Sequence, residues 1–325
     1  MKHRAMTPRV ILRTVCLALL LVCAAGLLKA QRADSAATFR ANAQMVLVPV
    51  TVTDHNGKTI EGLRAENFSV LDDQKLQPIM SFATDDSPCS VGLVLDTSGS
   101  MRNTLGAAKD IAHAFLEIAN PGDEFQLLTV STQPAVFSGF TTDKAALESE
   151  IDSTKSEGMT ALIDTVYFAL SRMRAARRSR RALLILSDGI DNYSRYAQAD
   201  LMRVALEADV QVYTILVNGG STGGTTGGAL FRPSMVGKPW DRGPEQQGPE
   251  TLEKLSDKTG GLHFRVHNAT EAKQAMDRAG RAIRNQYVIG YQPPDPGQAG
   301  KWHRVRVKAN VQKVNVYARN GYYSR

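Results

Sequence analysis

The chain has 325 residues, with 39 Lys and Arg against 32 Asp and Glu, a formal net charge of +7. Five of those charges (Lys2, Arg4, Arg9, Arg13 and Lys29) sit in residues 1–30, which hold no acid, so the rest carries 34 basic and 32 acidic side chains and is close to neutral. That distribution excludes a global nucleic-acid partner, and 43% apolar with 22% charged residues excludes a wholly disordered chain.

Residues 1–30 read as a secretory signal peptide. A basic start precedes an apolar run from Val15 to Leu28. The run is shorter than the ~20 residues of a spanning helix, and Ala30 marks the expected cleavage point. An uncleaved anchor is the rival reading. The chain is therefore expected to be exported, to the periplasm or the cell exterior, and membrane-anchored if the signal stays. Cys16 and Cys23 leave with the signal, so Cys89 alone cannot form an intramolecular disulfide or a Cys-based zinc site. It reads as a small buried residue. Residues 31–43 form a polar linker.

Residues 44–87 read as an N-terminal β segment. Met45 to Thr53 is β-rich, Asn56-Gly57 is a hairpin-type turn, and Phe68–Leu71 and Gln77–Phe82 supply two further strands. From residue 88 to 285 strands and helices alternate. Ser90–Leu95 and Ala182–Leu186 are continuous apolar runs of the kind buried on both faces of a parallel sheet. Phe125–Val130 and Val210–Val217 are further strands, with Ala135–Phe137 a hairpin partner and Leu262–Val266 the last of the series. Helical spacing appears at 103–118, 143–152, 161–176, 196–208, 249–259 and 269–284. This is an α/β pattern: a doubly wound, mostly parallel, Rossmann-like sheet. Residues 218–248 form a Gly-rich flexible insertion. Residues 286–325 return to strands, expected to pair with 44–87 in one small β-sandwich, because each end alone has too few strands. Asn56-Gly57-Lys58-Thr59 resembles the tail of a phosphate-binding loop, but Val52 stands where its first glycine belongs, so nucleotide binding is set aside.

Three loops carry the chemistry. The first buried strand ends in Asp96-Thr97-Ser98-Gly99-Ser100, a D-x-S-x-S sequence. Gly158-Met159-Thr160 precedes a helix, and Asp188-Gly189 follows the run 182–186. In a parallel sheet all three open on the carboxyl edge, the usual ligand crevice. Asp96, Ser98, Ser100, Thr160 and Asp188 offer oxygen only, which suits a hard divalent cation: Mg²⁺ first, Mn²⁺ or Ca²⁺ next. Neutral hydroxyl ligands leave the ion much of its charge, so a carboxylate from a partner protein could complete its shell. Taken singly, Ser98, Ser100 and Thr160 could be helix caps and Asp188-Gly189 a turn; their order beside the expected elements argues for a site.

The D-x-S-x-S, the Thr and the Asp resemble the metal-ion-dependent adhesion site of von Willebrand factor type A domains, a likeness spanning about 88–285. It implies Ser98, Ser100 and Thr160 as direct ligands, and Asp96 and Asp188 as direct or water-mediated ones. The flanks, Val50–Gly57, Leu63–Phe68 and Arg319-Asn320-Gly321-Tyr322-Tyr323, resemble exported bacterial VWFA-related proteins common in Acidobacteria. Asp164 is expected to favour the positive end of its helix, with an outer role at the metal as the alternative. Asp191 is expected to be solvated. His263 and His267 lie too far apart on a strand to share an ion. The run Arg172, Arg174, Arg177, Arg178, Arg180 and Arg181 reads as a solvated helix end, with contact to anionic envelope material as its functional rival. The expectation is a non-enzymatic, cation-dependent protein-binding module; a structural scaffold and a metal-dependent hydrolase are the alternatives.

Overall fold

The computed structural model describes residues 45–217, 244–293 and 299–324. The expected signal, the linker and most of the Gly-rich insertion lie outside the described residues. No helix among the described residues is long and apolar enough to cross a membrane.

The β-rich N-terminal stretch forms β1 (Val46–Asp54), β2 (Phe68–Asp72), β3 (Lys75–Gln77) and β4 (Ile79–Asp85). One strand was expected over 77–82, but the chain breaks at Pro78. Proline has no N–H for a ladder, so the run divides: β3 pairs with β2, whereas β4 joins the sheet of β1. Pro78 is the corner where the chain changes sheets.

The alternating region begins with β5 (Cys89–Asp96), then α1 (Leu105–Ile118), β6 (Glu124–Val130), β7 (Ala135–Val136), α2 (Lys144–Ser153) and α3 (Leu162–Arg172). It continues through β8 (Arg180–Ser187), α4 (Gln198–Ala208), β9 (Gln211–Val217), α5 (Pro244–Thr259), β10 (His263–Val266) and α6 (Ala269–Arg284). The sheet order is β10-β9-β8-β5-β6-β7, parallel except for β7. Every residue of β5 is buried, as a strand covered on both faces requires. Alternation assigns the faces. Leu93 and Leu95 share a core cluster with residues of α1, α2 and α6, whereas Val94, Leu183 and Ile185 share one with residues of α3, α4 and α5. Each fully buried Leu or Val here contributes about 1.5–3 kcal/mol. Cys89 is buried too, and burial pushes its thiol up to about 12, so it is an inert core residue.

The last strands are β11 (Gln286–Tyr291), β12 (Trp302–Ala309), β13 (Val314–Ala318) and β14 (Gly321–Tyr323). Two antiparallel four-stranded sheets result, β13-β1-β11-β4 and β14-β12-β2-β3, each mixing strands from both ends of the chain. Val48, Val50, Val52, Val70, Ile289 and Tyr291 lie in one apolar core with Phe68, Tyr287 and Val305. The chain enters the α/β region after β4 and leaves it before β11, and these two strands are neighbours, with Asp85 opposite Gln286.

The arginine run does not behave as a solvated group throughout. The Arg180 side chain is 8% exposed and 3.6 Å from Asp85. Its guanidinium donates to the carbonyls of Ser87 (2.7 Å), Ile283 and Arg284 (3.1 Å). It starts β8 and ties down both crossings between the α/β region and the terminal sheets.

Candidate metal centre

The carboxyl edge of the six-stranded sheet gathers the three loops. Asp96 ends β5 and is fully buried. Its Oδ1 accepts the Ser98 N–H at 3.0 Å and its Oδ2 accepts the Ser187 hydroxyl at 2.5 Å. The Ser187 oxygen in turn accepts the Gly189 N–H at 2.9 Å, which fixes the turn bearing Asp188. Ser98 is buried, and its Oγ lies 3.0 Å from the Oγ of exposed Ser100. An octahedral ion with Mg²⁺–O bonds of 2.0–2.1 Å places adjacent ligands about 2.9 Å apart, so the two hydroxyls stand at the spacing of one edge of such a shell.

Gly158 joins the second loop to the first. Its carbonyl accepts the Gly99 N–H at 3.0 Å, and the Ser156 hydroxyl donates to the Ser98 carbonyl at 2.5 Å. Gly158 has φ +81°, and a Cβ there would lie 2.5 Å from Ser131 Oγ, so glycine is required for both the turn and the close approach. Thr160 follows, 1% exposed. Its N–H donates to Asn192 Oδ1 at 2.9 Å, and its carbonyl accepts the N–H groups of Asn192 and Tyr193. Thr160 does not cap α3: that helix has Ala161 at its N-cap.

Burial pushes the Asp96 carboxyl up to about 6, with the Ser187 and Ser98 hydrogen bonds opposing and the nearby Asp188 charge adding to the rise. Among the described residues no cationic side chain forms an ion pair with Asp96 or Asp188. The arrangement is thus a buried carboxylate, a half-buried one near it and two serine hydroxyls at ligand spacing, with no ion-paired cation among the described residues. The donor set fits a hard divalent ion.

Asp164 lies in the first turn of α3, as expected, and also holds the facing loop, whereas Asp191 departs from the expectation of a solvated acid. Asp164 is 6% exposed, and its Oδ1 accepts the N–H groups of Arg195 and Tyr196 at 2.8 and 2.9 Å. Asp191 is not left to solvent. Its Oδ2 accepts the Ile163 N–H at 3.0 Å and caps α3, while its Oδ1 accepts the N–H groups of Tyr193 and Ser194. Together they fold the 191–196 loop onto the start of α3 and so position Thr160. Sequence reasoning missed Ser187 and Asn192 and read Asp191 as solvated; the Ser before Asp188-Gly189, ending an apolar strand, was the available signal. His263 bonds Thr214 and His267 bonds Glu271, so each has its own partner.

Residues 91–190 match the von Willebrand factor type A domain model. A Borreliella burgdorferi protein, known only as an uncharacterized protein, is 22% identical over 190 residues. That match covers 54% of this chain, and the chain spans about half (53%) of that relative's length. Similar solved structures include von Willebrand factor type A from Catenulispora acidiphila (14% identity, 79% of this chain and 72% of that one, TM-score 0.47). An aerotolerance-related membrane protein from Bacteroides fragilis is 16% identical over 59% of this chain and 98% of its own, with TM-score 0.45. Proximal thread matrix protein 1 from the mussel byssus, with a zinc-occupied MIDAS motif, is 16% identical over 65% of this chain and 49% of its own, with TM-score 0.46.

Proposed function

We propose that this protein is an exported, divalent-cation-dependent protein-binding module. Mg²⁺ is the intended ion, held by Ser98, Ser100 and Thr160 with Asp96 and Asp188 binding directly or through water. The partner supplies an Asp or Glu carboxylate to an open position of the ion. The observation that carries this reading is the fully buried Asp96 carboxylate near Asp188, with no basic side chain among the described residues ion-paired to either. An uncompensated buried carboxylate costs several kcal/mol, and a bound cation removes that cost.

The hydroxyls favour adhesion over hydrolysis. Neutral ligands leave the ion electrophilic enough to take an external carboxylate, and the groups bonded around the site are hydroxyls, amides and carboxylates that already serve as donors or acceptors. Export rests on the basic and apolar character of residues 1–30, and kinship with the exported VWFA-related proteins of Acidobacteria on the flanking motifs.

The test is partner capture from the native envelope in Mg²⁺ and in EDTA, with Asp96→Ala as control. Capture is expected in Mg²⁺ alone and from the unaltered protein alone. Capture that persists in EDTA and with Asp96→Ala would reject metal-bridged adhesion. Sequencing the mature N-terminus separates a cleaved signal from an anchor.

A further inference from the structure

A second cluster lies outside the α/β region, in the sheets built from the two ends of the chain. Asp72 closes β2, Asp73 opens the turn into β3, and His303 is the second residue of β12. One ligand atom from each falls within 4.8 Å of the others. His303 Nδ1 is 3.0 Å from Asp73 Oδ2 and 3.7 Å from Asp72 Oδ1.

The Asp72 carboxylate is fully buried. Its Oδ2 accepts the hydroxyls of Tyr291 and Tyr322, both at 2.9 Å. Its Oδ1 has no hydrogen-bond partner and faces the cluster. Burial and the Asp72 charge raise both phenols, so they remain donors. Asp73 is held by two bonds to Arg304: its N–H donates to the Arg304 carbonyl and its Oδ1 accepts the Arg304 N–H, each at 2.9 Å. The His303 ring lies against Tyr322, centroids 5.2 Å apart and planes 15° from parallel. All three groups are thus fixed from behind, and Asp73, the exposed member, leaves a solvent side.

We propose that Asp72 Oδ1, Asp73 Oδ2 and His303 Nδ1 form a second metal site, selective for a borderline divalent ion such as Zn²⁺, which joins the β2–β3 turn to β12. The chemistry differs from the hydroxyl site. One imidazole nitrogen with two carboxylates prefers Zn²⁺ over Mg²⁺ or Ca²⁺. A tetrahedral ion with bonds of 2.0–2.1 Å spaces its ligands about 3.3–3.4 Å apart, and the two separations here bracket that spacing. Two ionised carboxylates and a neutral imidazole sum to the charge that one divalent ion cancels. Water completes the shell on the Asp73 side. The rival occupant is a proton on Nδ1. It satisfies Asp73 but leaves Asp72 Oδ1 unpaired, and it accounts for His303 Nε2, which is buried without a partner, as a bare acceptor.

Co²⁺ is the probe, added to chelator-stripped full chain carrying Asp96→Ala, so that the hydroxyl site is silent. One equivalent is expected to give the visible d–d absorption of four-coordinate N/O ligation, abolished by added Zn²⁺. Asp73→Asn, at an exposed turn and so compatible with folding, is expected to lose the bands, as is His303→Gln. Tyr322→Phe, which removes a hydroxyl from Asp72 but no ligand, is expected to weaken binding about tenfold. Zn²⁺ should raise the unfolding midpoint of the parent and leave that of Asp73→Asn unchanged. No Co²⁺ bands in the parent would establish the proton as occupant and overturn the proposal. Undiminished bands in Asp73→Asn would place the ion elsewhere and overturn it equally.

Discussion

Replacing Asp96 by Asn is expected to make the metal-free protein more stable at neutral pH while destroying the proposed cation site. Burial is the main reason that the Asp96 carboxyl moves from its ordinary 3.8 up to about 6. At 1.36 kcal/mol per unit, that shift amounts to about 3 kcal/mol. A carboxyl whose folded value exceeds its unfolded one binds its proton more tightly in the native state. Its stabilising contribution is therefore complete below pH 3.8 and lost as the pH rises through about 6. Above that, the unaltered protein bears the full cost of the buried charge and the Asn variant bears none. Urea unfolding in EDTA should show the two proteins converging near pH 4 and separating by as much as ~3 kcal/mol at pH 7.5, with the variant the more stable. Mg²⁺ at 100 times its Kd should then add about 2.7 kcal/mol to the unaltered protein and nothing to the variant, closing most of the gap. A variant less stable in EDTA at pH 7.5, or a difference that stays constant from pH 4 to 7.5, would refute the reasoning.

Other outcomes follow from the same geometry. Mg²⁺ affinity, measured by calorimetry, should fall by about tenfold per pH unit below pH 6, because the ion must displace the Asp96 proton. Gly158→Ala should cost at least about 1–2 kcal/mol from its φ of +81° alone, and more from the Cβ that would lie 2.5 Å from Ser131 Oγ; urea unfolding measures the cost and the pull-down the accompanying loss of capture. Asp164→Ala strips the acceptor from two backbone N–H groups and should cost about 1–3 kcal/mol, with faster amide exchange at Arg195 and Tyr196 as the local readout.

Much of the architecture could be read before any coordinates, for a physical reason. A strand buried on both faces must be apolar throughout, so 90–95 and 182–186 announce a parallel sheet and the carboxyl edge where its loops open. D-x-S-x-S and Asp188-Gly189 stand at such ends, and Thr160 stands just before a helix. What stayed hidden depends on how distant loops meet. Asp191 looks like any surface acid until the 191–196 loop folds onto α3 and Ile163 needs an acceptor. Ser187 looks like the end of a strand until its hydroxyl meets Asp96. Pro78 in a short apolar run did not reveal that the flanking residues join different sheets. Asp72 and His303 are 231 positions apart, and β2–β12 pairing brings them within reach.

Arg180 has a mechanical consequence. The strands on either side of the α/β region, β4 and β11, lie side by side from Asp85 opposite Gln286 onward. The two covalent links between the α/β region and the terminal sheets therefore enter neighbouring strands at the same end. Arg180 spans that end, bonded to Ser87 on the incoming chain and to Ile283 and Arg284 on the outgoing one. It clamps the two links together, so a rotation of the α/β region about them must first break the Arg180 bonds.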